Sequence, residues 1–337
     1  MRFRKADLKT VLKFGIVLAL IWWMISTDKL SFAEMAVIFN RPDALIASLS
    51  VWLIGPVFLG SFRWWLLIRG AELTCSYLRA VKFQLIGFFF NTAMPGAVGG
   101  DIVKAIYIAR DQTSRQRKTP AVLTVLLDRI LGLMGLFLMG VCAAALSYNK
   151  LMSHPTTSQL LVGLLFVVIM SGLFLAVVFV SHGDGKDPIL RLLSARWPGF
   201  KVLRGIYEAL RFYRKKPGII AAAIALSVVI QFIALIYMGF IGRVLYGPSR
   251  FDAALLTPIF PFGTLATAIP LAPGGLGVGH AAFDRLFALV GLPGGANVFN
   301  IYVLSQLSLN LFGIIPYLSL RSKNNTITEA TNVGDRI

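Results

Sequence analysis

A nine-residue segment occurs twice in this chain. Thr92-Ala93-Met94-Pro95-Gly96-Ala97-Val98-Gly99-Gly100 and Thr267-Ala268-Ile269-Pro270-Leu271-Ala272-Pro273-Gly274-Gly275 share the pattern T-A-x-P-x-A-x-G-G, six identities without a gap at an offset of 175 residues. Proline removes a helical N–H and glycine carries no Cβ, so each copy interrupts any helix that contains it. Broken backbone is tolerated at membrane depth only where protein or a polar cavity satisfies the freed groups. Two such breaks in corresponding halves of an apolar chain are the best sequence-level pointer to a transporter-type binding site.

The rest of the sequence supports a lipid setting. Of 337 residues, 57% are hydrophobic and only 14% charged, more apolar surface than a water-soluble domain of this length can bury. No ten-residue segments of alternating polarity suggest a β-barrel. The expected fold is an all-α polytopic membrane protein, a single transmembrane domain. Cys75 and Cys142 lie in or beside apolar stretches and imply neither a disulfide framework nor a metal site. His154, His182 and His280 are scattered and read as loop or cap residues, so no metal or cofactor is expected.

The net charge of +18 invites a nucleic-acid reading, which its distribution displaces. Of the 33 Lys and Arg residues, 26 fall in five stretches: 2–13, 63–82, 104–118, 186–216 and the tail from Arg321. Cations clustered beside apolar spans follow the positive-inside rule and the anionic cytoplasmic leaflet. Topology accounts for most of the excess, and no nucleic-acid partner is expected.

Along the chain, about six full spans are expected, over 11–27, 43–60, 121–146, 159–181, 218–242 and 296–320. A cleaved signal peptide is the rival for the first, but no A-x-A-like site follows it and Trp22-Trp23 resemble an interfacial belt. Residues 83–109 are too few for two crossings, and one crossing would put Arg110, Arg115, Arg117 and Lys118 outside. A re-entrant broken-helix hairpin satisfies both constraints. Thr119-Pro120 reads as the start of the next helix. Residues 183–217 alternate apolar with basic positions, as in a helix lying in the interface. Residues 251–292 hold either a second re-entrant hairpin or two tight spans, and Pro258, Pro261, Pro270 and Pro273 favour the hairpin.

The same offset carries 43–60 onto 218–235 and 121–146 onto 296–321, and Arg110 onto Arg285. One copy of the motif enters from the cytoplasm and the other from outside. The prediction is an inverted repeat, with pseudo-repeat halves of about 8–150 and 155–322, each of three spans plus a re-entrant hairpin, and a disordered cytoplasmic tail over 323–337. Both termini are expected in the cytoplasm, in a bacterial cytoplasmic (inner) membrane.

The run Asn91 to Asp101, then Leu126-Leu127-Asp128-Arg129, and Pro273-Gly274-Gly275-Leu276-Gly277 resemble the transmembrane region of lysylphosphatidylglycerol synthase and its flippase-like relatives. The resemblance covers about residues 10–320. In bifunctional members of that family this region is joined to a cytosolic aminoacyl-transferase domain and moves the modified lipid between leaflets. No such domain follows here, so the resemblance implies lipid movement and not aminoacylation. The chain departs from the family pattern at Lys104, where arginine is frequent, and at His280, where an acidic residue is common.

The expected substrate-binding residues are Asn91, Pro95, Gly99, Gly100, Asp101, Lys104, Asp128, Arg129, Pro273, Gly274, Gly275 and Arg285. Each glycine pair precedes a half-helix whose free N–H groups and partial positive charge suit a lipid phosphate; tight helix packing by small residues is the alternative. Asp128 and Arg129 sit at depth in a span, where charge is costly and faces a cavity or a partner. Arg129 suits a bidentate grip on phosphate, with Asp128 orienting it or pairing with Lys104. A structural ion pair near the interface is the alternative. Asp101 reads equally as a helix cap. Lys104 shares its face at i+3. Asp284-Arg285 reads as an outward counterpart or as an interfacial anchor, and Arg63-Trp64-Trp65 as an interfacial belt. Asn91, Gln306 and Asn310 line the cavity or bond between helices.

Three function classes follow. The first is a flippase or translocator for an anionic phospholipid or polyprenyl-linked lipid, the headgroup sliding between the two hairpins. The second is a membrane-embedded transferase or phosphatase on lipid-linked substrates. The paired carboxylates, metal ligands or nucleophile–base pairs which that chemistry needs are not seen. The third is a non-transporting partner in envelope lipid biosynthesis. A homo-oligomer is compatible with all three.

Overall fold

In the computed structural model, residues 40–93, 99–146, 148–152, 155–180, 207, 210–269 and 275–320 are described. Among them every regular element is helical. Besides the short helical turns Tyr148–Met152 and Ala253–Leu255, in chain order these are α1 (Pro42–Gly70), α2 (Tyr77–Ala93), α3 (Gly99–Asp111), α4 (Arg115–Ala145), α5 (Pro155–Val180), α6 (Pro217–Tyr246), α7 (Leu256–Thr267), α8 (Val278–Ala288) and α9 (Gly295–Leu320). Five of them (α1, α4, α5, α6 and α9) are long and apolar enough to cross a membrane. The expected first span, at 11–27, and most of the expected interfacial segment lie outside the described residues.

The duplication extends to whole elements. A shift of 175 residues carries Pro42 of α1 onto Pro217 of α6, and Ala145 of α4 onto Leu320 of α9. It also carries the α2–α3 pair onto the α7–α8 pair. Both pairs are antiparallel. Phe83 stacks with Tyr107 and Arg79 pairs with Asp111 at the mouth of α2–α3, while Asn91 reaches Gly100 at its tip. In α7–α8, Gly263 lies under Phe283, and Thr267 packs on Gly275 and Gly279.

The two hairpins enter from opposite ends of the bundle. Arg79 and Asp111 lie by the C-terminal end of α1, where Tyr213 donates to the Leu67 carbonyl and Lys216 to the Gly70 carbonyl and Glu72. The mouth of α7–α8 lies at the other end, where Tyr246 stacks on Phe251 and donates to the Pro293 carbonyl. Each hairpin leans on the long helices of the other half. Gly140 of α4 packs on Pro261 of α7, and Gly313 of α9 on the Leu85 backbone of α2.

Two expected boundaries need correction. The span expected to end at Gly60 continues to Gly70, because one glycine in an apolar run costs a helix only about 1 kcal/mol. The helix expected to start at Thr119-Pro120 starts at Arg115, where the Ser114 hydroxyl accepts from the Gln116 N–H and caps the first turn. Pro120 then lies inside α4.

Near its middle, α1 widens into a π-helical stretch over Leu53–Leu59 that contains Pro56. A proline ring clashes with the carbonyl of the preceding turn, and the wider winding accommodates it. The Phe58 carbonyl there accepts from the Tyr77 hydroxyl. In the second half the corresponding residue is Gln231, and α6 runs unbroken.

Candidate functional site

The inner ends of the two helix pairs, marked by Asn91 of α2 and by Thr264 and Thr267 of α7, line two adjoining compartments between α1, α4, α6 and α9. One, of about 280 Å³, is lined by Arg63, Gln84, Asp101, Lys104, Asp128 and Arg129 with Gly132. The other, of about 250 Å³, is lined by Trp52, Gln231, Tyr302, Gln306 and Asn310 and carries no charged residue. Pro56, Asn91, Ile230, Gln231, Thr264 and Thr267 line both, so the two are continuous across the hairpin tips.

The charges of this compartment come from three elements of the first half. α1 brings Arg63, α3 brings Asp101 and Lys104, and α4 brings Asp128 and Arg129. Asp128 is the hub: Arg63 Nε donates to Oδ1 at 2.8 Å, and Lys104 Nζ lies 3.4 Å from Oδ2. Arg63 Nη1 also donates to Ser227 Oγ of α6 at 2.8 Å, tying the two halves together. Lys104 sits over the Trp64 ring at 4.3 Å, and the Trp64 indole donates to Thr124. Gly132 leaves room for this: a Cβ there would come within 3.2 Å of the Arg63 guanidinium.

Arg129 points elsewhere. Its Nη1 donates to Asp101 Oδ2 at 2.6 Å. Side-chain exposure separates the two sets: 11% and 7% for Arg63 and Asp128, against 27% and 26% for Arg129 and Asp101. The first set is packed between helices, and the second is the more accessible pair. Among the described residues, Arg63, Lys104 and Arg129 against Asp101 and Asp128 leave one net positive charge. In a site walled by apolar helices such a charge attracts anions far more strongly than in water.

The expected residues are placed as follows. Asp101, Lys104, Asp128 and Arg129 come together with Asn91, and Asp128 pairs with Lys104. Arg129 is held by Asp101 and not by Asp128. Asp101 is not a cap either: Asn91 Oδ1 accepts the Gly100 N–H at 2.7 Å, which removes that N–H from any ligand. Gly100 packs on the Gly87 carbonyl and Gly275, at φ 73°, on Thr267, so both serve close helix approach, as does buried Gly99. Arg285 is exposed and lines neither compartment; its repeat position, Arg110, likewise ends a hairpin arm. Pro95, Pro273 and Gly274 lie outside the described residues.

Sequence reasoning missed Arg63, which is no interfacial belt residue but part of the buried triad with Asp128 and Lys104. It also passed over Gln84, whose Oε1 is buried without a partner in the charged compartment. His280 acts locally: its Nδ1 accepts the Gly277 N–H, and Nε2 then carries the proton toward Asn300 Oδ1 at 3.4 Å. Among the described residues no three His, Cys, Asp or Glu side chains gather as a metal site.

The charges have no counterparts in the other half. A shift of 175 residues carries Arg63, Asp101, Lys104, Asp128 and Arg129 onto Met238, Leu276, Gly279, Val303 and Leu304. Helix boundaries correspond at this offset, and the charges do not.

The chain is similar to a UPF0104 membrane protein of Pyrococcus horikoshii, 23% identical over 311 residues, covering 86% of this chain and 88% of that protein. No solved structure matches it. The family model for the lysylphosphatidylglycerol synthase transmembrane region matches residues 10–311, nearly the whole length, including both hairpins and every charge in the site. The chain therefore belongs to the lysylphosphatidylglycerol synthase transmembrane-region family.

Proposed function

We propose that this protein is a lipid translocator that passes the anionic headgroup of a phospholipid or polyprenyl-linked lipid between leaflets while the acyl or prenyl tails stay in the bilayer. One observation carries the reading: a net-positive cluster sits at the meeting point of two opposed hairpins, between long apolar helices. Ionisable groups at such depth are costly, and an anionic passenger gives them a purpose beyond holding helices. In this reading α2–α3 and α7–α8 are re-entrant from opposite faces, and the halves form an inverted repeat around one central site. The basic stretches 63–82, 104–118 and 186–216 face the anionic cytoplasmic leaflet, which puts both termini in the cytoplasm of a bacterial inner membrane. Arg129 grips the phosphate, Asp101 releases it to do so, and Lys104 and Arg63 set the field.

The test is reconstitution. Labelled phosphatidylglycerol in proteoliposomes equilibrates between leaflets faster than in protein-free vesicles, and Arg129→Gln slows it about tenfold or more, as expected for loss of a charge-assisted contact worth ~1.5–3 kcal/mol. Equal rates with and without protein, across phospholipid and polyprenyl phosphate probes, would refute translocation. Turnover of a lipid-linked donor would replace it with transferase activity.

A further inference from the structure

The uncharged compartment is the strangest part of the molecule. Asn310 is 7% exposed, and its amide makes no hydrogen bond to another described residue. Trp52 is 6% exposed, and its indole N–H is buried without an acceptor. Gln231 and Gln306 are half-buried and line the same space. A buried indole N–H without an acceptor is costly, and three amides in an otherwise apolar wall would be replaced by apolar side chains if nothing polar entered. The array therefore points to a polar occupant.

We propose that this compartment is a second subsite, which takes an uncharged, hydroxyl-bearing part of the headgroup, a glycerol or a sugar, while the phosphate lies in the charged compartment; this rests on the lipid reading above. The chemistry excludes the other parts of a lipid. An ammonium group would find no carboxylate, since no Asp or Glu among the described residues lines the space. A second phosphate would find no Lys or Arg among them. A hydrocarbon tail would leave the amides unsatisfied. Hydroxyl groups donate and accept, which matches amides that offer both and an indole that only donates. The Trp52 and Tyr302 rings, edge to face at 5.2 Å, add apolar aromatic surface suited to the C–H groups of a sugar ring or a glycerol chain. At ~30 Å³ per water, about 250 Å³ holds roughly eight waters, enough for either group. Asn91, Gln231, Thr264 and Thr267 border both compartments, so a phosphate and the hydroxyls esterified to it can occupy the two at once.

The experiment compares lipids of equal charge. Purified protein in detergent is titrated with phosphatidylglycerol or phosphatidylmethanol, and with a polyprenyl phosphohexose or the corresponding polyprenyl methyl phosphate, following tryptophan fluorescence and native mass spectrometry. Two or three hydrogen bonds at about 0.5–1.5 kcal/mol each predict roughly tenfold tighter binding of the hydroxylated member of one pair. The pair that shows it tells glycerol from sugar. Trp52→Phe, which keeps the ring, and Asn310→Leu, which keeps the shape, each erase most of that preference. Arg129→Gln weakens both members of a pair alike. Equal binding within both pairs, or a preference that survives Trp52→Phe and Asn310→Leu, would overturn the subsite. Selective binding without lipid movement in vesicles would keep the subsite and remove translocation.

Discussion

Replacing Asp128 with asparagine tests the buried triad most directly. The carboxylate faces two cations, Arg63 Nε at 2.8 Å and Lys104 Nζ at 3.4 Å, and all three side chains are nearly inaccessible. At an effective dielectric of about 20, each contact is worth roughly 5–6 kcal/mol of gross attraction. Desolvation offsets most of that, yet removing only the carboxylate leaves both cations buried and mutually repelling, a loss of about 3–5 kcal/mol. Arg63 keeps its bond to Ser227, which puts the expected loss near the lower end, about 3 kcal/mol. Lys104→Met removes one cation and its contact with Trp64, and leaves the Arg63–Asp128 pair whole, so it costs less, about 1–2 kcal/mol. The double variant then has one surplus charge fewer than Asp128→Asn. Its loss should fall short of the sum of the singles by about 1.5–2 kcal/mol, well above the ~0.5 kcal/mol expected of independent sites. Denaturant titration of the four proteins in one detergent measures this. Additive losses, or an Asp128→Asn protein as stable as the parent, would refute the triad.

Other consequences follow from the same geometry. Gly100→Ala sets a methyl against the Gly87 backbone, which cannot step aside, so the first hairpin should open and folded yield collapse; Gly172→Ala, where a Cβ meets nothing, should be neutral in the same expression assay. Gly132→Ala crowds the Arg63 guanidinium at 3.2 Å and should cost about 1–3 kcal/mol by the same titration, less than Gly100→Ala because a side chain can shift. Burial foremost, with Asp111 adding to it, pushes the Cys75 thiol up to about 11. Its thiolate is therefore scarce at pH 8, and maleimide labelling of a Cys142→Ala protein should rise about tenfold per pH unit up to about pH 10. A rate that levels off near pH 8.5 would contradict the burial.

Much of the architecture was legible because membrane helices advertise themselves by apolar runs and cationic flanks. The repeat offset then placed the hairpins, since Thr92 and Thr267 sit at equivalent points beside their tips. Residues 83–109 were too short for two crossings, and the structure turns there as an antiparallel pair. What was not legible depended on rotation about helix axes. Arg63 follows an apolar run and precedes Trp64-Trp65, a pattern shared by interfacial belts and buried helices, and only the continuation of α1 to Gly70 turns it inward. Arg129 was legible as a charge deep in an apolar helix but not its partner, because Asp101 comes from another helix. Arg285 could have been set aside from sequence: its counterpart Arg110 lies about three turns beyond the motif, at the mouth of the helix pair and not at its inner end.

The unequal fate of the two halves is the strongest physical argument for a directional path. Duplication alone would place matching groups on both sides of the hairpin tips. Here one side holds three cations and two carboxylates, and the positions equivalent to them in the other half are Met238, Leu276, Gly279, Val303 and Leu304. An anion crossing such a site meets a well at one compartment and none at the other, so on the translocation reading it rests in the first and passes through the second. Moving the well should then move the resting place. Leu304→Arg with Leu276→Asp copies the Arg129–Asp101 pair onto the equivalent positions of the second half, and a second well there should slow passage through that half. Leaflet-resolved exchange of labelled phosphatidylglycerol measures it: a roughly tenfold slowing, equal to about 1.4 kcal/mol, is expected in the direction that empties through the second half. An unchanged rate in both directions, in a protein shown to be folded, would mean that the charge asymmetry has no part in transport.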